Sequence, residues 1–578
     1  MLKLARYLRP YLIFALLAPL TMVGEVAVDL LQPKLLSEIV DDGVLMQNMD
    51  VILRTGLLML LTIVLGGCCG VGSSAFSGMA SQGFARDLRN DVFRRVMRLS
   101  FQQTDKFTTG SLVTRLTTDI TAVQQLVDFS LRMLVRNMMF LIGGIYMMMQ
   151  LNVRFGLVVA ISLPIEIIIV AVIMKFANPL YAKVAERLDN VNSVMQENVT
   201  GARVVKAYVR EGSEIERFDG ANGSLMTANL KVMRLVALLQ PLLMLIMNAA
   251  VIMVIYIGGM QVEASALKVG EVMAAVTYMT QILHGIMMLS MMFQSISRAS
   301  ASAKRLNEVL ETEPAIVDGE GTDCTDIGTV EFRGVSFRYP SSVGRPVLEG
   351  IDLKVGRGEN IAILGATGSG KSSLVNLIPR FYDAVDGEVF VDGVNVREYK
   401  LDDLRRKIGI VLQKSELFSA SVAENISWGD GTADRAAIQN AAEIAQADEF
   451  ISKMPDDYDS HIAEKGASLS GGQKQRLSIS RAVLKKPEIL IFDDSTSALD
   501  LRTEARLRQR LKESLAGTTV ITIAQRIASV KDCDRIAVLD HGRLVGCAPH
   551  EELLKSCEVY KDIYRSQVRA DASEGGDV

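Results

Sequence analysis

The chain has 578 residues, enough for two or three domains, and its net charge of −4 argues against a nucleic-acid-binding protein, which would normally be basic. Hydrophobic residues make up 49% of the chain and the mean hydropathy is +0.25, which is high for a soluble enzyme with 22% charged residues. The charge-free apolar stretches all lie in roughly the first 300 residues, and the remainder has the composition of a soluble α/β domain. We therefore expect a membrane half, a soluble half and no nucleic-acid partner.

The first 300 residues contain apolar segments long enough to cross a bilayer, for which a helix needs about 20 mostly apolar residues. Six segments qualify, at about residues 10–31, 55–80, 130–151, 155–177, 235–262 and 272–297. The N-terminus has the basic start and apolar run of a signal peptide, but further spans follow it, so we interpret it as an uncleaved first span. The sequence predicts a six-span transmembrane domain over residues 1–300 and a linker over 301–328.

Basic residues in the connections predict the orientation of these spans. Lys3, Arg6 and Arg9 precede the first span, and the long second and fourth connections are rich in Arg and Lys. The N-terminus and the soluble half are therefore predicted to be cytoplasmic, in a multi-pass protein of the cell (inner) membrane. The two long connections are patterned as helices that continue the spans into the cytosol. They either contact the soluble half and transmit its motion, or form a solvated basic face near anionic lipid.

Two acidic residues, Glu25 and Glu166, fall inside predicted spans. A charge at the centre of a bilayer costs about 2.5–3.5 kcal/mol on insertion scales. One interpretation is that these residues contact a cationic substrate or line a polar cavity. The other is that they lie near an interface or pair with a neighbouring helix, and the sequence does not separate the two.

The soluble half contains a sequence that predicts a phosphate-binding loop. Strands are predicted over Val330–Tyr339 and Glu359–Leu364, and the second leads into the sequence GATGSGKS and a helix over Ser373–Ile378. Glycines let backbone N–H groups face phosphates, and the helix N-terminus adds positive potential. Lys371 should reach the β- and γ-phosphates, and Ser372 should ligate Mg²⁺. The residues expected to hold the nucleotide are Gly365, Thr367, Gly368, Ser369, Gly370, Lys371, Ser372 and Ser373.

Two further segments fit this site. Ile489–Asp493 is an apolar run that ends in a carboxylate, as expected for a buried parallel strand with a Mg²⁺ partner at its tip. Leu469–Gln473 forms a second anion-binding helix start. One nucleotide does not need two such ends from one chain, so this segment should cap a nucleotide held by a partner chain. Its ligand residues would be Ser470, Gly471, Gly472 and Gln473.

The P-loop, the LSGGQ sequence at 469–473, the Asp493 strand and the SALD sequence at 497–500 together resemble ATP-binding-cassette (ABC) proteins. Six spans ahead of one such domain resemble a half-transporter of the bacterial multidrug and lipid exporter group. The resemblance covers nearly the whole chain. It implies an α-helical membrane domain of the ABC exporter type, followed by an α/β P-loop nucleotide-binding domain over residues 329–567 and a disordered tail over 568–578.

The resemblance also implies roles for single residues. Tyr339 is similar to the aromatic residue that stacks on adenine. Gln413 is similar to the glutamine that senses the γ-phosphate, and with Ser372 and Asp493 it would complete the Mg²⁺ site. Asp500 would contact the partner across the dimer.

Two positions depart from the family pattern. The residue after Asp493 is normally Glu, the general base that orients the attacking water, and here it is Asp494. The switch position, normally His, is Gln525. Asp is one methylene shorter, and a misplacement of about 1 Å can cost on the order of 10²-fold in rate. Both changes together resemble the degenerate member of a heterodimeric exporter, which would bind ATP tightly, hydrolyse it poorly and complete a competent site on a different chain.

The sequence therefore predicts an ATPase coupled to the export of an amphipathic or hydrophobic substrate, such as a drug, lipid or peptide. ATP and Mg²⁺ are the expected cofactors, and a second half-transporter and membrane lipid are the expected partners. The alternatives are an importer on the same fold, for example for a metal-chelate, and an ATP-gated channel or regulatory subunit. A homodimer with two slow sites also remains open.

Overall fold

The computed structural model describes residues 3–321, 327–340, 342, 344–495 and 499–574; within these, the side chains at 286–287, 289–294, 297, 501 and 568–574 are left out. The chain forms two compact units. One unit comprises Met1–Met97 and Gly110–Thr312, and the other comprises Arg98–Thr109 and Glu313–Val578. Part of the predicted linker, residues 301–311, continues a helix of the first unit, so the division comes later than the predicted boundary at residue 300.

The first unit is built mainly from long helices. A 3₁₀-helix over Leu4–Tyr11 precedes them, and π-helical segments lie at Ile39–Val44, Arg115–Asp119 and Ser130–Leu134. The α-helices in chain order are α1 (Leu12–Glu38), α2 (Met49–Arg98), α3 (Phe101–Phe107, in the second unit), α4 (Thr109–Thr114), α5 (Ile120–Phe129), α6 (Val135–Leu151), α7 (Val153–Thr200), α8 (Ala202–Ala207), α9 (Glu211–Ala237), α10 (Leu239–Glu263) and α11 (Val269–Glu311).

Five helical segments within the described residues are long and apolar enough to cross a membrane: Leu4–Val44, Met49–Arg98, Thr109–Leu151, Val153–Thr200 and Glu211–Glu263. The sixth predicted span, 272–297, lies within α11, part of whose side chains fall outside the description. A helix of 48 residues such as α7 is about 72 Å long, more than twice the roughly 30 Å of the hydrocarbon core. The long helices therefore extend well beyond the spans, as the helical pattern of the connections predicts.

The first unit places apolar side chains both inside and outside. Val26, Phe155 and Val254 are each fully buried where helices meet. On α2, Leu57 and Leu61 are 68% and 63% exposed. Water penalises such an apolar surface and lipid does not, so the outer faces suit a bilayer.

The second unit is an α/β domain with an added antiparallel sheet. Its strands are β1 (Val330–Phe337), β2 (Leu348–Val355), β3 (Asn360–Leu364), β4 (Asp386–Val391), β5 (Val394–Asn395), β6 (Ile408–Val411), β7 (Ala420–Ser421), β8 (His461–Ile462), β9 (Ile489–Asp493), β10 (Thr519–Ile523), β11 (Arg535–Asp540) and β12 (Arg543–Ala548). The sequence predicts β3 as the second strand of the unit, whereas the structure places β2 between β1 and β3 along the chain. β2 alternates buried and exposed residues along most of its length, as expected of a strand buried on one face.

The helices of this unit are α12 (Lys371–Asn376), α13 (Leu401–Lys407), α14 (Val422–Ser427), α15 (Arg435–Ile444), α16 (Asp448–Ile451), α17 (Gly471–Leu484), α18 (Leu501–Ser514), α19 (His550–Ser556) and α20 (Glu558–Glu574). Helix α12 starts two residues before the predicted Ser373. The sequence predicts a disordered tail from residue 568, whereas α20 continues to Glu574, because the alanines at 570 and 572 favour a helix. Residues 575–578 lie outside the description.

The six-stranded sheet has the order β12-β11-β3-β10-β9-β6. Strand β10 pairs in parallel with both β3 and β9, so the carboxyl ends of these three strands meet at one edge. Parallel α/β sheets hold their ligands beyond this edge. The loop after β3, Asp494 after β9 and Gln525 shortly after β10 are therefore brought together by the sheet.

A buried carboxylate joins the six-stranded sheet to the four-stranded antiparallel sheet, whose order is β2-β1-β4-β5. Asp392 is fully buried, and its Oδ1 accepts hydrogen bonds from the backbone N–H groups of Gly328 and Thr329, at 2.6 and 3.1 Å. Its Oδ2 is 2.7 Å from Nζ of Lys407, which also contacts Glu488 at 2.9 Å. Removing one partner from a buried pair is costly because the other charge stays buried without compensation.

We expect Asp392→Ala to lower the free energy of unfolding of this unit by about 3–5 kcal/mol. The exposed pair between Arg435 and Asp459 provides the control, and Asp459→Ala should cost less than about 1 kcal/mol. Urea unfolding of the purified protein, followed by fluorescence of the single tryptophan, Trp428, measures this unit alone. Equal losses of unfolding free energy for the two variants would contradict the structural role of Asp392.

Candidate nucleotide-binding site

The loop from Gly365 to Gly370 connects β3 to α12, as predicted. Gly365 has no room for a side chain, because a Cβ atom there would lie 2.2 Å from the carbonyl oxygen of Leu539. Gly368 and Gly370 have φ values of +85° and +98°, a region that residues with side chains rarely adopt. The loop conformation therefore requires glycine at these positions.

Lys371 points back into this loop. Its Nζ donates hydrogen bonds to the carbonyl oxygens of Gly365 and Ala366, at 2.8 and 2.9 Å. Burial lowers the pKa of Lys371, and the nearby carboxylates of Asp494 and Asp493 act in the opposite direction. Buried Ser369 lies in the same loop, and its Oγ has no hydrogen-bond partner among the described residues. The ammonium group of Lys371 and the hydroxyl of Ser369 are therefore available to bind an anion at this loop.

Ser372 and Asp493 meet at the tip of β9. The Ser372 Oγ donates a hydrogen bond of 2.8 Å to Oδ1 of Asp493. Burial raises the pKa of Asp493, whereas the hydrogen bond from Ser372 lowers it. Two oxygen ligands fit Mg²⁺, which usually adds phosphate oxygens and water. Within the described part of the chain, no group of three or more His, Cys, Asp or Glu side chains could hold a metal by itself.

The two positions that depart from the family pattern contact each other. Nε2 of Gln525 donates a hydrogen bond of 2.7 Å to Oδ2 of Asp494, and the side chain of Gln413 also hydrogen-bonds to Asp494. Burial raises the pKa of Asp494, and these hydrogen bonds and Lys371 oppose that shift. Asp494 has a φ of +47°, unusual for a residue with a side chain. Two amides therefore hold the carboxyl group at the position where the resemblance implies a general base.

Tyr339 lies beside α12. Its hydroxyl is 3.0 Å from Oγ of Ser373, and its ring packs edge-on against Phe337 and Tyr382. The residue predicted to stack on adenine is thus next to the phosphate loop.

The LSGGQ segment begins helix α17. Ser470 is the N-terminal cap: its Oγ accepts from the N–H of Gln473 at 3.3 Å, while Oε1 of Gln473 accepts from the N–H of Ser470 at 2.8 Å. No hydrogen bond among the described residues links this segment to the phosphate loop. Asp500 caps α18 through the N–H of Thr503, at 2.9 Å. Residues 496–498, which include the first two residues of the SALD sequence, lie outside the description.

The sequence alone does not indicate which residues of the second connection contact the soluble half. Helix α3 belongs to the ATPase unit, and its Phe101 ring is 4.6 Å from that of Phe381. The hydroxyl of Tyr382 donates a 2.9 Å hydrogen bond to Asp105. This favours contact over a solvated basic face for this connection. Ser100, a helix cap directly before an aromatic residue, was the available signal.

The two acidic residues in predicted spans have different surroundings in the first unit. Oε1 of Glu25 is 2.7 Å from a guanidinium nitrogen of Arg136, which also contacts Asp29 at 3.2 Å. Glu25 therefore pairs with a neighbouring helix, the second of the two interpretations. Glu166 is only 2% exposed and lies on the buried face of α7.

Comparisons with known proteins agree with this arrangement. Residues 15–287 match the ABC transporter transmembrane region, and residues 348–497 match the ABC transporter domain. The chain is 38% identical to the uncharacterized ABC transporter ATP-binding protein YfiB of Bacillus subtilis (strain 168), over 99% of each sequence. It is 34% identical to an ATP-dependent lipid A-core flippase of Aromatoleum aromaticum, over 91% of this chain and 87% of the relative.

A solved structure, described as a bacterial Atm1-family ABC exporter with ATP bound, matches 98% of each chain with 27% identity and a TM-score of 0.79. A helical membrane unit followed by a P-loop unit defines an ATP-driven membrane transporter. The chain belongs to the ABC transporter family and is a half-transporter of the exporter type, in which the ATPase domain is fused behind the membrane domain.

We expect Lys371→Ala to weaken ATP binding to this chain by about 10- to 150-fold, because a hydrogen bond from a charged group contributes about 1.5–3 kcal/mol. Equilibrium binding of ATP to the purified chain provides the measurement. Lys453→Ala is the control, since Lys453 forms an exposed pair with Glu449 on α16. A loss below about threefold for Lys371→Ala would mean that Lys371 does not bind the phosphates.

Proposed function

We propose that this chain is the slow half of a heterodimeric ABC exporter. It binds Mg-ATP at a site that hydrolyses poorly, and it supplies its LSGGQ segment to a faster site on a different half-transporter. The observation that carries this proposal is the hydrogen bond between Gln525 and Asp494, the two residues that depart from the family pattern.

The chemistry of this pair supports slow hydrolysis. Asp494 is one methylene shorter than Glu, so its carboxylate reaches about 1 Å less far toward an attacking water. Gln525 carries no positive charge at any pH, so it stabilises the developing charge on the γ-phosphate less well than a protonated His. The amides of Gln525 and Gln413 also occupy the carboxylate lone pairs that a general base would use.

The binding half of the site is complete by comparison. The glycine loop and Lys371 would hold the phosphates, and Tyr339 would stack on the adenine. Ser372, Asp493 and Gln413 would hold Mg²⁺, and the metal would neutralise phosphate charge when bound. We therefore expect tight ATP binding with slow hydrolysis, because the phosphate-binding loop is intact and the residue at the general-base position is altered.

The substrate class is proposed as amphipathic or hydrophobic. The membrane unit exposes apolar faces, and a relative 34% identical to this chain is named as a lipid A-core flippase. Lipids, drugs and peptides with apolar bodies fit such a unit, which takes its substrates from or through the bilayer.

Co-purification from the native membrane tests the heterodimer. A tag on this chain should recover a second half-transporter in a 1:1 ratio. At the position that corresponds to Asp494 of this chain, that partner should carry Glu. Recovery of this chain alone, as a dimer with itself, would overturn the heterodimer.

The isolated chain should bind ATP with Mg²⁺ and turn it over slowly, at about 1% or less of the rate of the complex, as a base misplaced by about 1 Å predicts. Steady-state release of phosphate, measured beside ATP binding on the same preparation, gives the comparison. Full turnover by the isolated chain would show that Asp494 is a working base.

In the complex, Ser470→Ala or Gly471→Asp should lower ATPase activity far more than Asp494→Asn. The LSGGQ segment would close over the partner's nucleotide, where loss of one donor to a developing anion costs about 10²- to 10³-fold in rate. Gly471→Asp adds bulk and negative charge beside phosphate. Asp494 lies at the site whose nucleotide is hydrolysed slowly in any case. Asp494→Asn should therefore change the ATPase rate of the complex by less than about twofold.

The measurement is ATPase activity of the purified complex at saturating Mg-ATP, with Ser452→Ala on the exposed end of α16 as a control for expression and folding. If Asp494→Asn abolished turnover as completely as the LSGGQ variants, the chain would be an equal partner in a symmetric pair.

A further inference from the structure

Helix α7 has two faces in the membrane unit. Ile161, Ile165 and Ile168 are 65%, 43% and 60% exposed and would face lipid. Ser162 and Glu166, one turn apart, lie on the opposite face and are 4% and 2% exposed. Ionisable residues inside membrane spans almost always face the protein interior and mark substrate or ion pathways.

Glu166 lacks a partner in the part of the chain that the structure describes. None of the described residues forms a hydrogen bond or an ion pair with it. Protonated or ionised, a carboxyl group uses at least one hydrogen bond, and a buried polar group without one costs about 1–3 kcal/mol, or more when charged. Glu25, the other acidic residue singled out in the spans, is satisfied by Arg136.

The described residues of α6 and α10, which both pack against α7, supply no counter-charge. Helix α10, which packs against α7, carries no charged residue between Leu239 and Val262. In α6, Arg136 is held between two carboxylates of α1. Lys175, the next basic residue along α7, is exposed. A cation for Glu166 would therefore come from outside these segments.

The walls around this face are apolar. Val159 and Leu163 of α7 pack in one cluster with Met247, Ala250 and Val254 of α10. A polar ligand would lose its hydrogen bonds to water here, and these apolar side chains offer none in exchange. An apolar body that carries one positive charge would bury its surface against these side chains and place its charge against the carboxylate.

Helix α7 contains two prolines, one of them close to Glu166. Pro164 lies two residues before Glu166, and Pro179 lies further along the same helix. Proline removes a backbone N–H from the helix and clashes with the preceding turn, so helices bend at these points. A bend at Pro164 would separate α7 from α10 next to Glu166.

We propose that Glu166 is a ligand-binding residue of the membrane unit, in a site between α7 and α10 that takes an apolar monocation such as a lipophilic amine or a phosphonium. The carboxylate supplies the counter-charge, and the apolar walls hold the body. An anionic amphiphile of the same shape is rejected by charge. This inference rests on the proposed exporter function and names one substrate class for it.

The test is equilibrium binding of radiolabelled tetraphenylphosphonium to the purified transporter, with its partner, in nanodiscs and without nucleotide. Glu166→Gln should weaken binding at least tenfold, and Glu166→Asp, which keeps the charge, should weaken it less. Glu25→Gln is the matched control, because Glu25 is a membrane carboxylate that already has an ion-pair partner, and it should change binding less than about twofold. Tetraphenylborate, which has the same shape and the opposite charge, should not compete.

Three results would overturn the proposal. They are no binding of tetraphenylphosphonium by the unmodified transporter, equal losses for Glu166→Gln and Glu25→Gln, and effective competition by tetraphenylborate. Elution of each variant as a single species in size-exclusion chromatography reports folding, and Glu166→Met, which is uncharged and of similar length, replaces Glu166→Gln in the comparison if the latter does not fold. Because no nucleotide is present, a negative result here leaves the slow ATPase site untouched, and that site has its own hydrolysis test.

Discussion

The parallel pairing of β10 with β3 on one side and β9 on the other is the constraint on which the nucleotide site depends. Each strand delivers a different group to the same edge: the phosphate loop, Asp493 with Asp494, and Gln525. These groups are far apart in sequence, and their contacts of 2.7–2.8 Å exist only because the register holds the strand ends level. A one-residue slip of β9, which is buried on both faces, would exchange the side chains of its two faces and move Asp493 away from the groups it contacts.

Charge in a low-dielectric setting is handled in three ways in this chain. Asp392 is surrounded by backbone donors and a lysine, so its cost is met locally. Glu25 is paired across two membrane helices with Arg136. Glu166 has neither arrangement among the described residues, and that difference is what separates a structural carboxylate from one proposed to meet a ligand.

Much of the architecture could be predicted because its signals are local. Continuous apolar runs predict segments that coincide with five helices long and apolar enough to cross a membrane, and a glycine-rich sequence between an apolar strand and a helix predicts the phosphate loop. Contacts between distant segments were harder. Neither the ion pair of Glu25 with Arg136 nor the docking of Phe101 on Phe381 has a sequence signature, because each depends on how two separate elements pack. Strand β2 was missed because a short alternating segment resembles a loop when its partner strands are unknown.

The proposed division of labour needs only small chemical changes, and the fold explains why. Asp494 and Gln525 lie beyond the ends of their strands, so neither contributes to the buried sheet. A rate loss of 10²-fold corresponds to about 2.7 kcal/mol at the transition state, with no necessary cost to folding or to ATP binding. Meanwhile Ser470 is fixed by its own capping box, independently of Asp494. The general base at the strand edge can therefore change while the LSGGQ segment stays intact. In the proposed heterodimer, this chain would then hydrolyse its own ATP slowly and still support ATP hydrolysis at the partner's site.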